Sequence, residues 1–118
     1  MDINILELFK YFRQKDRDMG KPLERLKYSI TLNNLWLYVI KLVKERPMYS
    51  REIHKMIKEK FNIKTDIITV YSVLYRLERG GFIKRSGNYR KYYELTEKGE
   101  KEFHEGLKVL ENVLILLK

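Results

Sequence analysis

At 118 residues the chain has the length of a single domain, which argues against a second independent core. Its formal net charge of +9 and pI near 9.7 point to a polyanion or an anionic surface, while 44% hydrophobic and 13% aromatic residues exclude a merely disordered basic tail. With no cysteine, disulfides, thiolate zinc sites and cysteine nucleophiles are excluded as well.

No uninterrupted apolar run approaches the ~20 residues that a spanning helix needs, and the N-terminus lacks a leader pattern. The expectation is a soluble, cytoplasmic protein with no membrane partner. From Ile3 to Arg17, Ile5, Leu8, Phe9 and Phe12 recur at helical spacing and predict an amphipathic helix. Met19, Gly20, Lys21 and Pro22 stop it, and Leu23 to Thr31 reads as a short helix or an extended linker.

A stronger helix is predicted from about Asn33 to Arg46, where Leu35, Trp36, Val39, Ile40, Leu42 and Val43 cover more than half the circumference. Pro47 disfavours the α conformation at Arg46 and ends it. Ser50 is then the expected cap of a helix from Arg51 to Phe61, with Ile53, Met56, Ile57 and Phe61 inward. Asn62 to Thr65 turns the chain into the next helix, Asp66 to Arg79.

In that helix Ile67, Val70, Tyr71, Leu74 and Leu77 form the stripe predicted to be buried, before Gly80 and Gly81 close it. Thr65, Thr69, Ser72, Arg76 and Arg79 form a second stripe of hydroxyls and guanidiniums, the groups that reach phosphates and base edges. Taken alone, this stripe suits an ordinary solvated face equally well. Its setting favours DNA: a helix, a short turn and a second helix bearing polar groups form a helix-turn-helix, and a hairpin from Phe82 to Leu95, turning near Gly87, follows as a basic wing.

Thr96 caps a final helix to the C-terminus. Phe103, Leu107, Leu110, Leu114 and Leu117 step by four, three, four and three, the rhythm of a seam between helices. Val109, Val113, Ile115 and Leu116 widen that face beyond what a small domain covers by itself. A homodimer through this helix is predicted, joined by Ile5, Phe9 and Phe12 of the first one.

Pro47-Met48-Tyr49 before Glu52-Ile53, Val70-Tyr71, Arg76-Leu77-Glu78, Gly81-Phe82-Ile83 and Lys91-Tyr92-Tyr93-Glu94-Leu95-Thr96-Glu97-Lys98-Gly99 together resemble the PadR-like transcriptional regulators, over about Leu35 to Gly99. The resemblance implies a dimeric, repressor-type DNA binder built by its terminal helices, some members of the family releasing DNA when a small aromatic effector binds. Two departures bear on docking geometry and effector choice. Ser50-Arg51 stands where the family usually has Gly-Tyr, and Ile68 where it has a small residue.

The fold class expected is therefore mainly α with a small β-hairpin wing. Residues 1–20 and 97–118 would serve dimerisation, and residues 33–96 would form the winged helix-turn-helix. The candidate DNA contacts are Arg51, Lys64, Thr65, Thr69, Ser72, Tyr75, Arg76, Lys84, Arg85, Asn88, Arg90 and Lys91, with Thr69, Ser72, Tyr75 and Arg76 assigned to base edges. Tyr71 is assigned to the core. Trp36 admits two readings, ordinary core, which is favoured, or the wall of an effector cavity. Glu100 and His104, at i and i+4, admit a weak metal pair or, preferably, an exposed ion pair. No nucleophile with a base and no Gly-rich phosphate loop is present, so neither an enzyme nor a cofactor is expected. The competing functions are a nonspecific DNA-coating protein and a protein–protein adaptor on the same fold.

Overall fold

The structure, a computed structural model, describes residues 21–118. The expected first helix, with Ile5, Phe9 and Phe12, lies outside the described residues. The segment read as helix or linker is a helix, α1, Pro22–Ile30, with proline in its first turn, Glu24 near its start and Lys27 near its end. It belongs to a unit that ends at Asn33.

The second unit begins at Asn34. After a 3₁₀ turn at Leu32–Asn34 come α2 (Trp36–Glu45), α3 (Ser50–Phe61), α4 (Ile67–Arg79), β1 (Ile83–Ser86), β2 (Tyr92–Leu95) and α5 (Glu97–Leu117). The α-helix thus starts three residues later than the apolar pattern implies, because the 3₁₀ turn takes up its first residues. Within the hairpin expected from Phe82 to Leu95, the strands are Ile83–Ser86 and Tyr92–Leu95, residues 87–91 being used by the turn.

One core joins these elements. Leu35, Val39, Ile40, Leu42 and Val43 meet Ile53 and Ile57 of α3, Val70, Leu74 and Leu77 of α4, Ile83 of β1 and Phe103 of α5. The wide apolar face of α2 is what lets one ten-residue helix meet α3, α4, β2 and α5. Fully covering each Leu or Ile contributes about 1.5–3 kcal/mol. The hairpin is antiparallel, with Ile83 opposite Leu95 and Ser86 opposite Tyr92. Met48 lies alongside β2, its N–H donating to the Tyr93 carbonyl at 3.2 Å and its carbonyl accepting from the Tyr93 N–H at 2.8 Å.

Candidate nucleic-acid interface

The turn between α3 and α4 is held at both ends. Asn62 ends α3 in the left-handed conformation, and Ile63 beside it inserts into the core. His54 Nε2 donates to the Thr65 carbonyl at 2.7 Å, so this histidine fastens α3 to the turn. Asp66 caps α4, its carboxylate accepting the Thr69 N–H at 2.7 Å, and that bond holds the carboxyl below its usual range. At the start of α3 the sequence expectation needs correction: Ser50 is the first helical residue, and the Glu52 side chain accepts the Tyr49 N–H at 3.2 Å in the manner of half a capping box.

Val70, Leu74 and Leu77 bury the inner stripe of α4 as predicted. Tyr71 departs from that prediction and is 44% exposed. It sits about 100° around the helix from Val70, at the margin of a stripe that the core fills with smaller side chains. Ile68 is 75% exposed on the outward face with Tyr75 and Arg79, whereas Thr69 and Ser72 are only half-exposed. Two guanidiniums fold back along their own helix: Arg76 Nη2 donates to Ser72 Oγ at 3.1 Å, and Arg79 Nη1 to the Tyr75 hydroxyl at 2.9 Å. Sequence reasoning missed Ile68 and Tyr71 as outward residues. The 100° step counted from Val70 was the signal that could have found them.

The base of the wing is clasped to the end of α4. Gly81 takes φ +80°, letting Gly81 N–H reach the Glu78 carbonyl and Phe82 N–H the Leu77 carbonyl at 2.9 Å. The start of α5 folds onto the same residues. Thr96 Oγ1 donates to the Gly81 carbonyl at 2.6 Å, Lys98 Nζ donates to the Gly80 carbonyl at 2.7 Å, and Thr96 N–H donates to the Phe82 carbonyl at 3.2 Å. Thr96 Oγ1 also accepts the Gly99 N–H at 3.0 Å, capping α5.

Between the start of α3, α4 and the wing lies a groove of about 410 Å³, lined by Tyr49, Ser50, Arg51, Tyr71, Arg90, Lys91 and Tyr93. It brings Arg51, Arg90 and Lys91 to one place beside a helix N-terminus, an arrangement that attracts anions. Tyr49 stacks on Tyr92, Arg90 lies 5.0 Å over the Tyr49 ring, and the two hydroxyls share a hydrogen bond. That bond, helped by Arg90, holds Tyr49 below the ordinary phenol value, and the same bond, with burial and against the pull of Arg90, holds Tyr92 above it. Lys91 Nζ donates to the Gly87 carbonyl at 2.9 Å. Lys84 and Arg85 sit apart from this groove and already have partners, Glu94 at 3.9 Å and Glu78 of α4 respectively. Lys64 and Asn88 are exposed, Thr65 half-exposed.

On α5, Phe103 is corrected from seam to core: it is 7% exposed, packed in the core with the chain's own α2. The remaining seam residues are open, from 37% at Leu107 through Leu110 and Leu114 to 80% at Leu117. Trp36 Nε1 donates to Asn34 Oδ1 at 3.3 Å, and its ring lies against Gly106. A separate groove of about 460 Å³ beside it is lined by Leu37, Tyr38, Lys41, Lys44, Phe61, Phe103, His104, Leu107 and Leu110. Lys44 Nζ approaches Glu100 at 3.5 Å and His104 at 3.3 Å, so a cation already sits between the two residues weighed as a metal pair. Among the described residues no group of three or more His, Asp or Glu could hold a metal, and no helix is long and apolar enough to cross a membrane.

A family model for the transcriptional regulator PadR-like family matches residues 39–105, more than half of the chain. No match among curated proteins was found. Among solved structures, a transcriptional regulator from Clostridium thermocellum is similar at 26% identity and TM-score 0.69, over 75% of this chain and 91% of that one. A PadR-like transcription factor from Bacteroides fragilis is 25% identical with TM-score 0.63, over 80% and 99%. Bacillus subtilis PadR in complex with operator DNA is 25% identical with TM-score 0.56, over 62% of this chain and 46% of that longer one.

Proposed function

The chain belongs to the PadR-like family of transcriptional regulators and has their winged-helix DNA-binding fold, and from that premise we propose that it acts as a homodimeric, sequence-specific repressor. The observation that carries this reading is the exposed face of α4 beside a groove that gathers Arg51 of α3 with Arg90 and Lys91 of the wing, in a chain of net charge +9. In this reading α4 enters the major groove, where Thr69, Ser72, Tyr75 and Arg76 address base edges. Arg51, Lys64, Thr65, Lys84, Arg85, Asn88, Arg90 and Lys91 meet the phosphate backbone, Lys84 and Arg85 by exchanging their acidic partners for it.

The open apolar side of α5, with residues 1–20, forms the dimer and sets two copies of α4 on half-sites one helical turn apart. Residues 33–96 are then the DNA-binding unit. Its effector, a small aromatic molecule, would occupy the groove beside Tyr38 and Phe61, with Trp36 left as packing for α5. The operator complex of Bacillus subtilis PadR supports duplex DNA as the partner.

Selection from a random DNA pool tests the reading. The expected outcome is one pseudo-palindromic site, bound with log affinity falling by about 0.9 per neutralised phosphate as log salt rises. Equal affinity for every duplex at physiological salt would refute it in favour of a DNA-coating protein.

A further inference from the structure

The centre of the outward α4 face is apolar. Ile68, 75% exposed in the first turn, is followed at i+3 by Tyr71 and at i+7 by Tyr75, so the three side chains run along one line of the helix. Polar groups beside that line are engaged by the helix and its cap: Ser72 accepts from Arg76, the Tyr75 hydroxyl accepts from Arg79, and the Thr69 N–H is taken by Asp66. The residue at the N-terminal end of this line, where a helix in the major groove comes nearest to base edges, therefore offers no hydrogen bond at all. In the major groove the apolar counterpart of such a side chain is the C5-methyl of thymine.

Resting on the DNA-binding reading above, we propose that Ile68 is a specificity residue that selects thymine in each half-site by packing on its methyl group, with Tyr71 continuing the apolar contact. The hydroxyls and guanidiniums flanking it discriminate neighbouring base pairs by exchanging their mutual bonds for base edges. Ile68 itself discriminates thymine from cytosine, which presents no methyl at that position.

The test uses the full chain and the site obtained by selection, with each thymine replaced in turn by uracil, which removes the methyl and keeps the pairing. Titrations followed by fluorescence anisotropy are run with wild type and with Ile68→Ala, whose exposed position leaves the fold intact, as circular dichroism will verify. Wild type is expected to lose affinity about four-fold per substitution at one thymine of each half-site, the factor for one methyl returned to water. Ile68→Ala is expected to bind the thymine and uracil forms of that position equally. Indifference of wild type to uracil at every thymine, or an equal loss in Ile68→Ala, overturns the inference and leaves the DNA-binding reading standing. Absence of any preferred site overturns both.

Discussion

Replacing Gly99 by alanine should destabilise the protein although it improves the helix propensity of α5. A Cβ built there stands 2.0 Å from the Phe82 carbonyl oxygen, 2.9 Å from its carbon and 2.8 Å from Leu95 Cδ1. The first two are backbone atoms, so relief requires the wing base or α5 to move by more than 1 Å, as the distance to an ordinary contact of about 3.4 Å implies. The Phe82 carbonyl accepts the Thr96 N–H, so that bond is lost too, at about 0.5–1.5 kcal/mol. Overpacking adds about 1–3 kcal/mol and the alanine returns about 1 kcal/mol, leaving a net loss of roughly 1–3 kcal/mol. Gly106→Ala is the matched control on the same helix. Its Cβ would meet only side-chain atoms, of Trp36 at 3.0 Å and Leu37 at 3.2 Å, which can yield, so its stability should lie within about 1 kcal/mol of wild type. Urea unfolding of the two variants measures both values. Gly99→Ala proving as stable as Gly106→Ala would refute the close-approach argument.

Leu74→Ala should cost about 2–5 kcal/mol by urea unfolding, because the fully buried side chain leaves a cavity at the junction of α2 and α4. Arg76→Ala should relax base preference at one position by about 1–3 kcal/mol, whereas Lys91→Ala should weaken all sequences alike and lower the salt slope by about one unit; anisotropy titrations over several salts separate the two. Replacing Leu110 and Leu114 together by glutamate should convert the proposed dimer to monomer in sedimentation and weaken operator binding, since both side chains are open on the single chain. Asp66, Glu52 and Glu45 are all held below the ordinary carboxylate range, by the Thr69 N–H, by Arg46 and by Lys60 respectively. Groups lowered on folding stabilise at pH above their unfolded values, about 4, and lose that contribution as pH falls through the lower folded ones. The urea midpoint should therefore hold from pH 7 to 5 and drop below about 4, less steeply in an Asp66→Asn, Glu52→Gln double variant.

Much of this fold was legible because helical periodicity and its stops coincide. Val70, Leu74 and Leu77 lie inward, and Gly81 takes the left-handed turn that ends α4. The failures have one physical source, the difference between a stripe and its neighbours in space. Tyr71 lies at the margin of the inner stripe and Phe103 at the head of the seam, and sequence spacing cannot tell which tertiary surface reaches each. The 3₁₀ turn before α2 has the same apolar pattern as the helix it precedes. Of the site, the placement of the cations on α3 and the wing was legible, while the partners of Lys84 and Arg85 were not, since cross-strand register and the reach to α4 exist only in the folded chain.

The strands of the wing carry its anchors: main-chain oxygens of Gly80, Gly81, Phe82 and Tyr93 accept at the root, Arg85 pairs with Glu78 and Tyr92 stacks on Tyr49, whereas the turn, among the described residues, meets the rest through the Arg90 ring contact. Residues 87–91 thus form a cassette: a longer, shorter or differently charged loop grafted between Ser86 and Tyr92 leaves every anchoring bond intact. For protein engineering, the span of DNA backbone that this arm is proposed to touch becomes adjustable by length alone, without redesign of the domain that carries it.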